Sequence, residues 1–385
     1  MDGTDALTIE VIGGLDNVSR EEWDALANPP GAPFDPFLCW DFLQALEESG
    51  CASASSGWQP AHLIARDAAG AAVGAMPLYA KDHSYGEYVF DHAWADALYR
   101  AGGAYYPKLQ CAVPFTPVPG RRLFAQSPAV EAALAQGAIG LAQRIGASSV
   151  HATFSEPEMC ERVAPLGYLT RAGLQYHWFN RGYATFDDFL ADLSANRRKN
   201  VRKERARACE QLRIRTRRGA DIKPHHWDFF FACYQDTGAR KWGSPYLNRD
   251  FFQVLGERMA DRCVLFVAEE QDGGQLASAL NVLGSEALYG RYWGRMADAP
   301  FLHFELCYYR AIDLAIELGL KRVEAGAQGE HKLARGYVPV QTRSAHWIAH
   351  PGLRDAVARY LEAETPAVAE EADILAAHAP FRQGG

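Results

Sequence analysis

The chain has 385 residues, 48% of them hydrophobic and 22% charged, the composition of an ordinary folded globular protein. That length exceeds one small core and predicts two domains. A net charge of -8 and a pI near 5.9 argue against a dedicated nucleic-acid binder, and charges break every apolar stretch before the ~20 residues a membrane span needs.

The first half reads as mixed α/β. Pro36–Gly50 carries Phe37, Trp40, Leu43 and Leu46 at helical spacing. His62–Arg66 and Ala72–Lys81 read as strands joined by a turn at Asp67–Gly70. Tyr88–Trp94 reads as a further strand, and Tyr105–Arg122, rich in proline and aromatics, as an ordered loop. Ala129–Ile145 is expected to be a helix, Ser149–Phe154 a strand, Glu156–Leu166 a short helix and Tyr168–Asn180 a strand leading into the second half.

The second half opens with helices at Thr185–Leu193 and Ala195–Gln211, then a strand at Leu212–Arg217. Pro224–Arg240 and Asn248–Met259 read as helices. Three strands follow: Cys263–Glu269, Gln275–Leu283 and Ala287–Gly294. Leu302–Leu318 reads as one long helix stopped by Gly319. Arg322–Ala325 and Ser344–Ala349 are strands, and Pro351–Ala376 a terminal helix. Domains are expected at 1–175 and 176–385, candidates for diverged copies of one fold. No basic-then-apolar leader opens the chain. The eight cysteines form no Cys-x-x-Cys pair, so reduced, mostly buried thiols and no zinc site are expected, as in a cytosolic protein.

Three constellations can carry chemistry. Glu324–Tyr337 packs three glycines with Glu330, His331, Lys332 and Arg335. Glycines let a backbone turn sharply and approach a ligand. Glu330 or His331 can take a proton from an attacking amine, and Lys332 and Arg335 can hold an oxyanion, a carboxylate or a phosphate. The plainer reading is a surface hairpin with ordinary salt bridges. No Gly-Lys-Ser/Thr and no G-x-G-x-x-G after a strand accompanies these glycines, which disfavours nucleotide hydrolysis and hydride transfer.

From Arg197 to Arg218, eleven Lys/Arg stand against Glu204 and Glu210, a local charge of 11 − 2 = +9 that leaves −17 for the remainder. This is either a solvated helix face or a phosphate-binding surface, with Arg197, Arg198, Lys199 and Arg202 as candidate contacts. The third constellation is Lys81, His83, Tyr85, Glu87 and Asp91, followed by Lys108. It is either a substrate pocket or a set of inert, hydrogen-bonded side chains at a strand end. His303, at the start of the long helix, is a candidate acceptor.

The Arg-rich run Asn196–Lys203, the helix–strand stretch Ala311–Arg322 and the position of His331-Lys332 resemble the Fem-type aminoacyl transferases, which are built from two GNAT-fold (acetyltransferase-like) domains. The runs Pro36–Gly50, Lys81–Asp91, Tyr105–Leu109, Pro114–Pro117 and Gly326–Lys332 are similar, more closely, to the bacterial N-acyltransferase family also described as peptidoglycan biosynthesis/recognition proteins. The likeness spans nearly the whole chain. It implies two tandem GNAT-like domains, each a mixed central sheet flanked by helices, with the transfer site in the second and the lysine at position 332 in catalysis.

An amide-forming N-acyltransferase is the expected activity, with no permanently bound cofactor. The donor would be acyl-CoA, acyl carrier protein or aminoacyl-tRNA. The acceptor would be a long-chain amine, a small-molecule amine or a cell-wall precursor. Tandem alternatives are Fem-like tRNA-dependent aminoacyl transfer and non-catalytic recognition of peptidoglycan. A cytoplasmic location, peripheral to the inner face of the membrane, fits these substrates, and DNA is not an expected partner. Two departures stand out. The pyrophosphate loop of CoA-using relatives is replaced before the long helix by Met296–Pro300, and no long helical-hairpin arm is inserted.

Overall fold

In the computed structural model, residues 7–241, 245–326 and 329–382 are described, without the side chains of 239–241 and 330. The chain forms two compact units, 1–173 with 341–370 and 174–340 with 371–385. The stretch 341–370, expected in the second domain, therefore belongs with the first.

The first unit contains two sheets. Thr8–Ile12, His62–Arg66, Ala72–Met76 and Phe124–Ala125 form an antiparallel one. The turn after Arg66 is set by Asp67, whose Oδ1 accepts the backbone N–H groups of Ala69 and Ala71 at 3.0 and 2.9 Å. Proline at position 77 divides the expected Ala72–Lys81 strand in two, because it cannot donate to a ladder. Leu78–Lys81 consequently pairs in the other sheet, between Trp58–Pro60 and Lys108–Cys111. Lys108–Cys111 runs parallel to Ser149–Ser155, which pairs in turn with Arg343–Ile348. The helix Pro128–Ile145 is capped by Ser127 and ended by Gly146 at φ +68°. It lays Leu134, Ala138 and Leu141 on the core formed with Leu63, Leu78, Leu109 and Val150.

Two expectations for this unit fail. Tyr88–Trp94 is no strand: Tyr88 takes φ +60°, and the helix His92–Arg100 begins instead, burying Trp94, Ala95 and Leu98 at helical spacing. Tyr105–Arg122 is not all loop: Lys108–Cys111 is a strand with every residue buried. Its Lys and Gln masked it. Both are satisfied internally, Gln110 by Thr153 Oγ1 at 3.0 Å and Lys108 by ion pairs described below.

The second unit has a sheet in the order Leu212–Arg218, Cys263–Glu270, Gln275–Leu283, Ala287–Arg295, Arg322–Glu324 and the 177–179 segment of Leu169–Phe179. All neighbours are antiparallel except Ala287–Arg295 with Arg322–Glu324, which pair in parallel over three residues, Ala287 to Tyr289. The helix Pro224–Lys241 packs so closely on Ala287–Arg295 that a Cβ at Gly294 would lie 1.9 Å from the Cys233 carbonyl oxygen.

The long helix is present but not uniform. Leu302–Phe304 and Arg310–Glu317 are α-helical, and Glu305–Tyr309 between them is a π turn. It ends as the sequence predicts: Gly319 takes φ +65°, and Leu320 N–H reaches the Ala315 carbonyl at 2.8 Å. Trp178, Phe189, Phe266, Leu306, Ile312, Val323 and Tyr337 lie in the core of this unit. None of the eight cysteines is in a disulfide, and six of them are buried. Among the described residues no helix is long and apolar enough to cross a membrane.

Candidate functional site

In the second unit, the short parallel pairing shapes the site. Beyond Tyr289 and Glu324 the two strands no longer pair. On its other side, the strand Ala287–Arg295 bulges: Leu280 faces Tyr292 but Asn281 faces Gly290, so Arg291 is the extra residue. A pocket of about 90 Å³ lies here, lined among others by Asn281, Gly290, Trp293, His303, Tyr308 and Ala325. Cys307 and Tyr308 reach it from the π turn, a distortion that often marks functional segments of helices.

The glycine loop closes on this region. Gly326 and Gly329 take φ +80° and +117°, conformations open to glycine. A six-residue turn of 3₁₀ helix, Glu330–Arg335, follows. Lys332 is 2% exposed, and its Nζ donates to the Gly326 carbonyl at 2.7 Å. Among the described residues no carboxylate forms an ion pair with it, and burial, which disfavours the charged form, lowers its pKa to about 8. His331 is exposed, with Nε2 2.8 Å from the Tyr308 hydroxyl. The His303 ring lies 4.6 Å from Trp293 and 6.1 Å from His331. Burial raises the Tyr308 hydroxyl's pKa, so that group stays protonated.

Arg335 is committed elsewhere. Its fork holds Glu204 at 2.9 and 3.2 Å, its third nitrogen donates to the His331 carbonyl at 2.7 Å, and its guanidinium lies 3.4 Å from the Phe304 ring centre. It braces the loop against the basic helix. The Glu330 side chain lies outside the described residues.

Three polar groups near this site were not singled out from the sequence. Asn281 is 1% exposed, and neither end of its carboxamide has a hydrogen-bond partner. Glu324, 4% exposed, accepts from Arg322 Nε at 2.8 Å, while its other oxygen has no hydrogen-bond partner. Burial raises the pKa of Glu324, and the Arg322 charge opposes that rise. His177 sits opposite Glu324 in the sheet, 3.7 Å from its carboxylate, and is pushed down to about 3 by burial and then by the charges of Arg322 and Lys332. The signal for all three is a polar residue inside a strand that is otherwise buried.

In the first unit, the structure brings Lys81, His83, Glu87, Asp91 and Lys108 together, each of the four charged ones 3% exposed or less. Lys108 Nζ donates to Ser84 Oγ, Glu87 and Asp91 at 2.8, 2.7 and 2.5 Å. Asp91 also accepts from the Tyr105 hydroxyl, which lies 3.2 Å from His151; that ring meets His346 at 2.7 Å. Lys81 Nζ donates to the Tyr85 carbonyl at 3.1 Å and lies 3.6 Å from the Trp58 ring centre. Burial lowers the pKa of Lys81 to about 7. His83 holds the Ser56 carbonyl, and the Tyr85 ring points outward, 62% exposed. These bonds pin the 82–91 loop, while Glu87 Oε1, 3.7 Å from Lys81 Nζ, and Asp91 Oδ1 have no hydrogen-bond partner.

On the basic helix Ala195–Ala208, Arg197, Lys199 and Arg202 are exposed and Arg198 half-buried. Arg202 reaches Asp187 at 3.3 Å. Arg205 points inward to Glu305 and Asp313, and on the next strand Arg215 and Arg217 share Glu269. The local charge of the sequence is therefore diluted by carboxylates from distant segments. Arg197, Arg198, Lys199 and Lys203 have no carboxylate partner among the described residues. No group of three His, Cys, Asp or Glu able to hold a metal occurs among those residues either.

The fold matches solved structures. FemX superposes with a TM-score of 0.55 at 12% identity, covering 89% of this chain and 98% of FemX. L-PGS from Bacillus licheniformis gives 0.52 at 12% identity, covering 86% and 98%. A conserved protein of unknown function from Bacteroides thetaiotaomicron gives 0.52 at 12%, covering 88% and 99%. At these identities the likeness is one of fold, and it carries the expected class: mixed sheets flanked by helices, of the GNAT-like Fem type. No curated protein matches the chain. A family model, FemAB-like, described as peptidoglycan biosynthesis/recognition, matches residues 14–383. With nearly its whole length matched, the chain belongs to the FemAB-like family.

Proposed function

We propose that the protein is an N-acyltransferase whose transfer site is the pocket of the second unit. The observation that carries this reading is Lys332: a buried amine with a lowered pKa, held by the carbonyl of Gly326, the residue after Ala325, which lines the pocket where two strands part and one of them bulges. An acceptor amine attacks the carbonyl carbon of a bound acyl ester or thioester. A carbon–nitrogen bond forms, the oxygen becomes an oxyanion, and collapse breaks the carbon–oxygen or carbon–sulfur bond to the donor. Protonated Lys332 and backbone N–H groups of the bulged strand stabilise the oxyanion, an effect typically worth about 10²–10³ in rate per donor. His331, exposed and linked to Tyr308, takes the proton the amine loses and returns one to the leaving group.

The acyl donor is proposed as acyl-CoA, acyl carrier protein or aminoacyl-tRNA, and the acceptor as a cell-wall precursor or a lipid amine. The exposed Arg197, Lys199 and Arg202 favour a donor bearing phosphates. Acyl transfer assayed with all three donor types tests the site. If Lys332→Met and His331→Ala both retain full transfer, the assignment is wrong.

A further inference from the structure

Two of the eight cysteines are not buried, Cys209 and Cys307. Cys209 closes the C-terminal end of the basic helix, where partial burial raises the pKa of its thiol. Cys307 sits in the π turn and lines the pocket. His303, four residues earlier, lines the same pocket, as positions at that spacing share a helix face. Asn281 lines it from the strand Gln275–Leu283, 1% exposed, with neither end of its carboxamide hydrogen-bonded. Burying an unpaired carboxamide is unfavourable, and a group entering the pocket is what would use its free N–H. The buried amine is close as well. Burial lowers the pKa of Lys332, and the charge of Cys307 opposes that fall. The interaction is mutual, so the Lys332 ammonium favours the Cys307 thiolate, the form of cysteine that attacks a carbonyl carbon.

We infer that Cys307 is a catalytic nucleophile: it takes the acyl group from the donor as a thioester and passes it to the acceptor amine, so that transfer runs through an acyl-enzyme. The thiol gives its proton to His303, and the sulfur attacks the donor's carbonyl carbon. A carbon–sulfur bond forms and the carbonyl oxygen becomes an oxyanion, held by Asn281 Nδ2 and protonated Lys332. Collapse breaks the donor's own carbon–sulfur or carbon–oxygen bond, and the leaving group departs with the proton from His303. The acceptor amine then attacks the Cys307 thioester. A carbon–nitrogen bond forms, the bond to Cys307 breaks, and the proton the amine loses passes through His331 to the freed sulfur. The inference rests on the pocket being the transfer site, and makes Cys307 the carrier of the thioester that the amine meets.

The test first incubates the whole protein with donors and no acceptor: acetyl, glycyl and octanoyl thioesters of pantetheine, and the matching 3′-O-acyl adenosine esters. Intact-protein mass spectrometry is expected to show a single added acyl group, removed by hydroxylamine at neutral pH as a thioester is. Peptide mapping should place it on Cys307. Labelled free pantetheine or adenosine should be drawn back into donor without any acceptor, the half-reaction of a ping-pong cycle. Amide formation is then read with hexadecylamine and L-lysine as probe amines. Cys307→Ala should lose adduct, exchange and amide formation, and Cys209→Ser should keep all three. Amide formation by Cys307→Ala at the wild-type rate, or by wild type with neither adduct nor exchange, overturns the acyl-enzyme and leaves the transfer site standing. Absence of adduct, exchange and amide with every donor overturns both. Should the alanine variant not fold, the wild-type adduct, its mapped position and the exchange decide alone.

Discussion

Two buried lysines, one in each unit, show how carboxylates decide what an amine can do. Lys108 is fully buried and bonded to Glu87 and Asp91, and those charges raise its pKa against the opposing pull of burial. Lys332 is buried to nearly the same degree, has a carbonyl for a partner, and falls to about 8. The first is locked in the charged form and holds a loop down. The second sits near the pH at which it can be charged or neutral, the condition under which a buried group serves in chemistry.

The sharpest way to break this comparison is to remove each amine while keeping its stem. Lys108→Met leaves Asp91 buried without its lysine and Glu87 with only Lys81 at 3.7 Å, and breaking a buried pair typically costs about 3–5 kcal/mol. Chemical denaturation should show that loss. A loss below about 1 kcal/mol would mean that water reaches the network. Lys332→Met should behave in the opposite way. Its stability should change by no more than about 1 kcal/mol, the scale of one neutral hydrogen bond, while acyl transfer falls about 10²–10³-fold.

Much of this contrast lay in the sequence, and the remainder did not for physical reasons. The glycine loop, Lys332, the cluster from Lys81 to Lys108 and the element order of the second half were legible, because periodicity, glycine placement and motif spacing are local. What was hidden depends on distant partners. Lys108–Cys111 looked unlike a buried strand because its Lys and Gln are satisfied by residues far along the chain. Arg335 reads in the sequence as a candidate anion holder and Arg205 as one more cation of the basic run, yet Glu204 and Glu305 take them up. The π turn, the bulge at Arg291 and the orphaned Asn281 are matters of register, which composition does not carry.

A titration sharpens the comparison further. The lysine ¹³Cε resonance of Lys332 should move with a midpoint near 8, well below a lysine's ordinary 10.5. Because its folded pKa lies below the unfolded one, the unfolded chain binds more protons between those values. This lysine's contribution to stability is therefore complete above about 10.5 and lost as pH falls through about 8. Wild type should gain about 1–2 kcal/mol on Lys332→Met between pH 7 and 9.5. Lys108, shifted upward, contributes fully below 10.5 and loses its effect only as pH rises past its raised folded value. A Lys332 midpoint at 10 or above would remove the distinction between the two amines.

The smallest effect is expected on the helix that carries the unpaired cations. Arg197→Glu combined with Lys199→Glu alters exposed side chains that hold no carboxylate partner among the described residues. Stability should stay within about 0.5 kcal/mol, as for most surface changes. If this face meets a phosphate-rich donor, the same variant weakens donor binding at low salt and flattens its salt dependence, since each cation lost releases one fewer counterion. If binding and its salt slope are unchanged, the charged face is a solvated surface. The cations that matter are then the inward-turned Arg205 and Arg335, which brace the helix and the loop around Lys332.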